Sequence, residues 1–161
     1  MLDFEQLESA WVKYSSQLLL ILRPLGGPTE DAVQEAFIAL SQVDLLPDSP
    51  LAWLVTVGRN RLIQWKRGDR RRQNRQALVA RNWFELSGSE GLLQAEEVAA
   101  ALSRLPPTEA EIITMRIWGD LTFDEISAIV GQSRSSTHRC YQRGLALLRH
   151  QLSGVSLDEH S

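Results

Sequence analysis

Residues 135–143 place Ser135, His138, Arg139 and Gln142 on one stripe of a helix, with Ser136 and Arg143 at its edge. Hydroxyl, imidazole, guanidinium and amide groups meet there, and no carboxylate interrupts them before the C-terminal tail. An arginine fork matches the acceptors of guanine, a glutamine matches adenine and hydroxyls meet phosphates, so the stripe suits a DNA major groove. A second stripe lies upstream: Thr56, Asn60, Gln64 and Arg67 recur at helical spacing, flanked by Arg59, Arg61 and Lys66. Its cations can track a phosphate backbone while its amides reach base edges. A third stripe has the opposite character. Asp31, Gln34, Glu35 and Ile38 share a polar, acidic face with one aliphatic, which suits a partner helix. For each stripe taken alone, a solvated amphipathic face is the alternative. Catalytic and metal chemistry find less support. His138, His150 and His160 crowd the last quarter, and none pairs with Cys140 or a carboxylate at ligand spacing. No phosphate-cradling glycine motif is present. The residues point to no catalytic group, no metal, no cofactor and no small-molecule substrate.

Helices must carry these stripes. No stretch keeps period-two alternation and no Asn-Gly or Asp-Gly hairpin signal occurs, so the chain reads as all-α. The spacing predicts a first helix over about 4–23, bearing Phe4, Leu7, Trp11, Tyr14 and Leu18, broken by Pro24 and Gly26-Gly27-Pro28. Thr29 is expected to cap a second helix with Val33, Ala36, Phe37 and Leu40 on its core face. Glu30 and Asp31 stand in its first turn, where the helix dipole favours anions. Ser49-Pro50 reads as the cap and first-turn proline of a third helix reaching about residue 72, with Leu51, Leu54, Val55, Gly58 and Leu62 inward. Trp53 is expected in the core rather than stacked on a base, because large aromatics supply buried area, and Trp65 is left open between the two.

Further on, residues 73–95 lose periodicity and include Ser87-Gly88-Ser89, the marks of a linker with room for one short helical piece. Glu96–Leu105 is expected to be helical with Val98, Ala101, Leu102 and Leu105 inward. Thr108-x-x-Glu111 and Thr122-x-x-Glu125 both have capping-box spacing. Gly131 ends a short helix bearing Ile126, Ile129 and Val130. A last helix follows over about 135–152, with Thr137, Cys140, Tyr141, Gly144, Leu145 and Leu148 on its inner stripe. A short helix, a glycine turn and a second helix make a helix-turn-helix. The expected architecture is two small helical domains joined by a flexible linker. They are a domain over 1–74, a linker over 75–95, a four-helix domain of helix-turn-helix type over 96–152 and a frayed tail over 153–161.

Charge separates these parts. The net charge is −3, yet residues 59–81 hold 9 basic groups against Asp69 alone, whereas residues 1–58 hold 2 basic and 8 acidic groups. Residues 82–133 hold 2 basic and 9 acidic groups, and residues 134–161 hold 4 and 2. A basic block in an acidic chain is what one phosphate-facing surface requires. Arg70, Arg71, Arg72 and Arg75 form its densest part, expected to attract phosphate without regard to sequence; a solvated basic linker is compatible with that. A hydrophobic share of 43% and a charged share of 23% exclude a disordered or fibrous chain. A single cysteine excludes an internal disulfide and fits a reducing compartment. The apolar run 18–22 is too short to span a bilayer, and residues 1–9 are acidic where a secretory signal is basic. A cytoplasmic protein without membrane insertion is expected.

Three stretches resemble one family. Asp31-Ala-Val-Gln-Glu-Ala-Phe37 is similar to the D-L-V-Q-E-V-F helix of the bacterial extracytoplasmic-function (ECF) sigma factors of RNA polymerase. Ala52-Trp-Leu54, Val57-Gly-Arg-Asn60 and the run 65–72 resemble its A-W-L, I-A-R-N and R-R-R segment. Leu105-Pro-Pro107 through Arg149 resembles its L-P-x-x-x-R-E-V, G-x-S-x-x-E-I-A and R-A-L-x-x-L-R ending. Order and separation match across most of residues 4–152, the linker excepted.

The resemblance implies an initiation factor that directs core RNA polymerase to promoter DNA. It implies that Asp31, Gln34, Glu35 and Ile38 meet the polymerase clamp. Thr56, Arg59, Asn60, Arg61, Gln64, Lys66 and Arg67 would then hold the melted −10 strand, with the loop 46–50 receiving a flipped base. Ser135, Ser136, His138, Arg139, Gln142 and Arg143 would read the −35 element, and an anti-sigma factor would control the whole. The recognition helix departs from the family's G-T-V-K-S-R. Thr137 stands where an aliphatic is common, His138 where a lysine or arginine is, Cys140 where an arginine is, and Gln132 where the turn usually has isoleucine. An unusual or weak −35 preference is therefore expected. The rival readings are a free-standing helix-turn-helix regulator, which usually dimerises and would leave the 31–37 stretch without a role, and a helical adaptor in a signalling complex.

Overall fold

The computed structural model describes residues 1–68, 97–98 and 100–159, with 153–159 described by backbone alone. Every regular element among them is helical. The chain divides into two compact units, Met1–Leu86 and Ser87–Ser161. The expected linker over 75–95 and the cluster Arg70, Arg71, Arg72 and Arg75 lie outside the described residues.

The first unit consists of α1 (Phe4–Leu22), a 3-10 turn (Arg23–Leu25), α2 (Thr29–Ser41) and α3 (Pro50–Gly68). Asp3 starts α1 with a reciprocal cap: Gln6 N donates to Asp3 Oδ1 at 2.8 Å and Asp3 N to Gln6 Oε1 at 3.3 Å. After Pro24, Gly26 and Gly27 adopt φ of 72° and 85°, a region open to glycine, and turn the chain into α2. Thr29 does not cap α2. Pro28 occupies that position without a side-chain bond, and Thr29 is itself the first helical residue, buried in the core. Its hydroxyl therefore belongs to the interior rather than to the exposed amides of the first turn.

Leu18, Ile21 and Leu22 of α1, Ala32, Val33, Ala36, Phe37 and Leu40 of α2, and Leu51, Leu54, Val55 and Leu62 of α3 form the core of this unit. Gly58 lets α3 approach α1, since a Cβ there would lie 2.7 Å from Leu22 Cδ1. The apolar stripe of α1 is buried only in part. Leu18 is fully enclosed, but Trp11 is 44% exposed and Phe4 76% exposed. Spacing identifies a helix face but not which of its turns has a neighbour. Trp53 and Trp65 are both half-buried, so Trp53 is less enclosed than expected.

In the second unit, residues 97–98 and 100–103 are helical, followed by α4 (Pro107–Ile117), α5 (Phe123–Val130) and α6 (Arg134–Glu159). Ala101, Leu102, Leu105, Ala110, Ile113 and Leu148 make one core cluster, with Val98, Trp118, Tyr141 and Leu152 against it. The two capping boxes read from sequence have different fates. At Thr122 both bonds form: Glu125 N donates to Thr122 Oγ1 at 3.1 Å and Thr122 N to Glu125 Oε1 at 3.0 Å. At Thr108 neither does. Pro107 takes the first helical position, where its fixed φ and missing N–H are harmless, so Thr108 falls inside α4 rather than at its cap. Gly131 closes α5 in the left-handed conformation, at φ 72° and ψ 32°. α6 continues to Glu159 as helix, where a frayed tail was expected after residue 152.

Candidate nucleic-acid interface

The turn after Gly131 sets the pose of α6. Ser133 Oγ accepts from Ser136 N at 3.1 Å, capping the new helix. Gln132 is not stranded by being polar. Its Oε1 accepts from the Ser136 hydroxyl at 3.2 Å and lies 3.7 Å from Cys140 Sγ, so the turn is held by hydrogen bonds where an aliphatic side chain would hold it by packing. Thr137 is fully buried and its Oγ1 donates to Ser133 O at 2.8 Å, which leaves its methyl group to pack as an aliphatic would. Cys140 is buried as well. Two of the departures from the family pattern therefore lie inside the domain and not on the face presented outward. At Gly144, α6 touches α4 so closely that a Cβ would lie 2.6 Å from Ile113 Cδ1 and 3.1 Å from Glu109 Cβ.

On the outer side, Ser135, His138, Arg139, Gln142 and Arg143 are exposed and Ser136 is half-buried. Two of the six are partly committed to the domain itself through polar contacts. The Ser136 hydroxyl serves Gln132, as above. Arg143 Nε lies 3.7 Å from the Glu109 carboxylate, which is only 7% exposed, and a second guanidinium nitrogen lies 3.8 Å from Cys140 Sγ. Arg134 pairs with Asp124 at 3.7 Å, tying the start of α6 to α5.

On α3, Thr56, Asn60, Gln64, Lys66 and Arg67 are exposed, and Arg59 and Arg61 are half-buried. The Thr56 hydroxyl donates to Ala52 O at 2.8 Å, back along its own helix. Lys66 Nζ donates to the Leu25 carbonyl at the end of the 3-10 turn. Arg61 Nε stands 3.9 Å from the Glu35 carboxylate, linking the basic face of α3 to the acidic face of α2. On α2, Asp31, Gln34 and Ile38 are exposed, Ile38 by 55%.

Beside them Glu30 has a buried Oε1 without a hydrogen-bond partner among the described residues. Burial, and then the Asp31 charge, push its carboxyl up from the ordinary value. Nothing in the sequence distinguished Glu30 from Asp31, both being first-turn anions. No cluster of metal-ligating side chains occurs among the described residues.

Residues 13–72 match the family model described as sigma-70 region 2, and residues 101–150 match that described as sigma-70, region 4. The chain belongs to the sigma-70 family. α1–α3 carry region 2, and α4–α6 with the helical residues before them carry region 4. It is thereby a sigma factor, built of those two regions. Two solved structures are similar to this sigma factor in fold. CnrH, in complex with the cytosolic domain of CnrY, is 24% identical with a TM-score of 0.63, covering 94% of this chain and 90% of that one. The sigma factor RpoE, in complex with the anti-sigma factor NepR from Bartonella quintana, is 17% identical with a TM-score of 0.69, covering 92% and 98%. No curated protein sequence matches.

Proposed function

We propose that this sigma factor divides its work between its two regions. The acidic face of α2 (Asp31, Gln34, Glu35 and Ile38) docks on core RNA polymerase. The face of α3 holds the melted −10 strand through Asn60, Gln64 and Arg67, with Thr56, Arg59, Arg61 and Lys66 around them. α6 reads the −35 element through Ser135, His138, Arg139 and Gln142, with Ser136 and Arg143 at the edge. The carrying observation is the outer stripe of α6, exposed on the second helix of a helix-turn-helix and free of carboxylates. The chain acts as a binding factor and not as an enzyme, since bond formation belongs to the polymerase. Its place of action is the cytoplasm; no described helix is long and apolar enough to cross a membrane. An anti-sigma protein is its controlling partner, as NepR is found with RpoE.

Core RNA polymerase, the purified protein and a promoter library test this. Transcripts that appear only when the protein is added, with shared −35 and −10 sequences upstream, are the expected result. DNA binding by the protein alone without new transcripts would instead describe a free-standing regulator.

A further inference from the structure

Phe123 opens α5 and is gripped from two helices. Its ring centroid lies 5.1 Å from that of His138 at an interplanar angle of 70°, and 5.3 Å from that of Tyr141 at 68°. The Arg116 guanidinium stands over the same ring at 5.1 Å. Arg116 is itself anchored, donating to the Leu121 carbonyl at 2.9 Å and lying 3.8 Å from the Asp120 carboxylate. The backbone beneath the ring is fixed too, because Phe123 directly follows Thr122 at the head of a complete capping box. The ring is a rigid platform. His138 is the member of this cluster that also belongs to the outer stripe of α6.

An exposed side chain samples several rotamers and loses that freedom on binding. An edge-on ring contact removes part of the freedom beforehand. His138 also sits near the start of α6, the part of a recognition helix that meets base edges. An imidazole offers an N–H donor in either protonation state, and the purine acceptors in the major groove are N7 and, on guanine, O6.

We propose that Phe123 is a positioning residue for promoter reading: it holds His138 so that the imidazole N–H donates to a purine acceptor in the −35 major groove. This rests on the assignment of α6 to the −35 element.

Full-length protein assembled with core RNA polymerase is offered promoters randomised in that element, and base preferences are read by sequencing the bound fraction. His138→Ala should flatten the preference for a purine at one position. Phe123→Leu should flatten the same position by about two- to tenfold, leave the others unchanged and add nothing in a His138→Ala background. Phe123→Tyr, which keeps the ring, should restore the preference. Phe123→Met serves if the leucine variant does not fold.

The proposal is overturned if Phe123→Leu weakens all sequences alike, or if its effect persists undiminished once His138 is alanine. It also falls if, at the affected position, neither a 7-deazapurine nor, where the base is guanine, 2-aminopurine in place of guanine weakens binding, since the contact then goes to neither N7 nor O6. Should substitutions of Ser135, Arg139 and Gln142 change no preference either, the −35 assignment itself has failed, a result distinct from loss of the Phe123 role.

Discussion

Glu30 carries a charge that the fold resists. Its carboxyl is raised from 4.5, first by burial and then by Asp31, so the folded chain binds that proton more tightly than the unfolded one. The contribution to stability is fully present below 4.5 and is lost as pH rises through the higher folded value. Glu30→Gln should therefore raise the urea midpoint near neutral pH, and the advantage over wild type should vanish in acid. Equal midpoints at both would show that the carboxylate is not penalised. Residue identity also left hidden which cations the protein uses on itself. Arg61, Lys66 and Arg143 look alike in sequence to Arg67 and Arg139, yet their partners are Glu35, the Leu25 carbonyl and Glu109. Those partners come from distant elements, so spacing along one helix cannot reveal them.

Helix starts show where local reading works and where it fails. Thr122-x-x-Glu125 and Thr108-x-x-Glu111 have the same pattern, but only the first becomes a cap, because Pro107 fixes the start of α4 two residues too early for the second. Thr122→Ala should cost about 1 kcal/mol in chemical denaturation, and Thr108→Ala clearly less. Core faces were legible wherever apolar spacing met a neighbour, as for Val33, Ala36, Phe37 and Leu40 on α2. They were not legible along the first turns of α1, where Phe4 has no enclosing partner. Helix proximity was legible only as a glycine. Gly144→Ala gains helix propensity yet drives a methyl group to 2.6 Å from Ile113, so a net loss of about 1–3 kcal/mol is expected. A melting temperature at or above that of wild type would show that α6 can shift without cost.

At the scale of the molecule, the proposed roles give the acidic surface to the polymerase and the basic surfaces to promoter DNA. Neutralising Arg70, Arg71, Arg72 and Arg75 should lower the steepness with which promoter affinity falls as salt rises, by about 0.7–0.9 in logarithmic slope for each phosphate left without its cation. It should leave the order of promoter preference unchanged. Reversing Asp31 and Glu35 to lysine should abolish capture by core RNA polymerase in pull-down while circular dichroism and melting stay near wild type, since the solvent-accessible, 3.9 Å Glu35–Arg61 pair stabilises little. Normal capture would place the polymerase contact elsewhere.

The long α6 helix keeps two edges apart. Thr137, Cys140, Gly144 and Leu148 are sealed against the domain, while Ser135, Arg139 and Gln142 face outward. Surface substitutions away from structural features usually change stability by no more than about 0.5 kcal/mol. If α6 reads the −35 element as proposed, lineages descending from this protein can thus drift toward new target sites at those three positions with almost no thermodynamic obstacle, whereas His138, leaning on Phe123, and Arg143, paired with Glu109, are outward positions at which such drift would meet resistance.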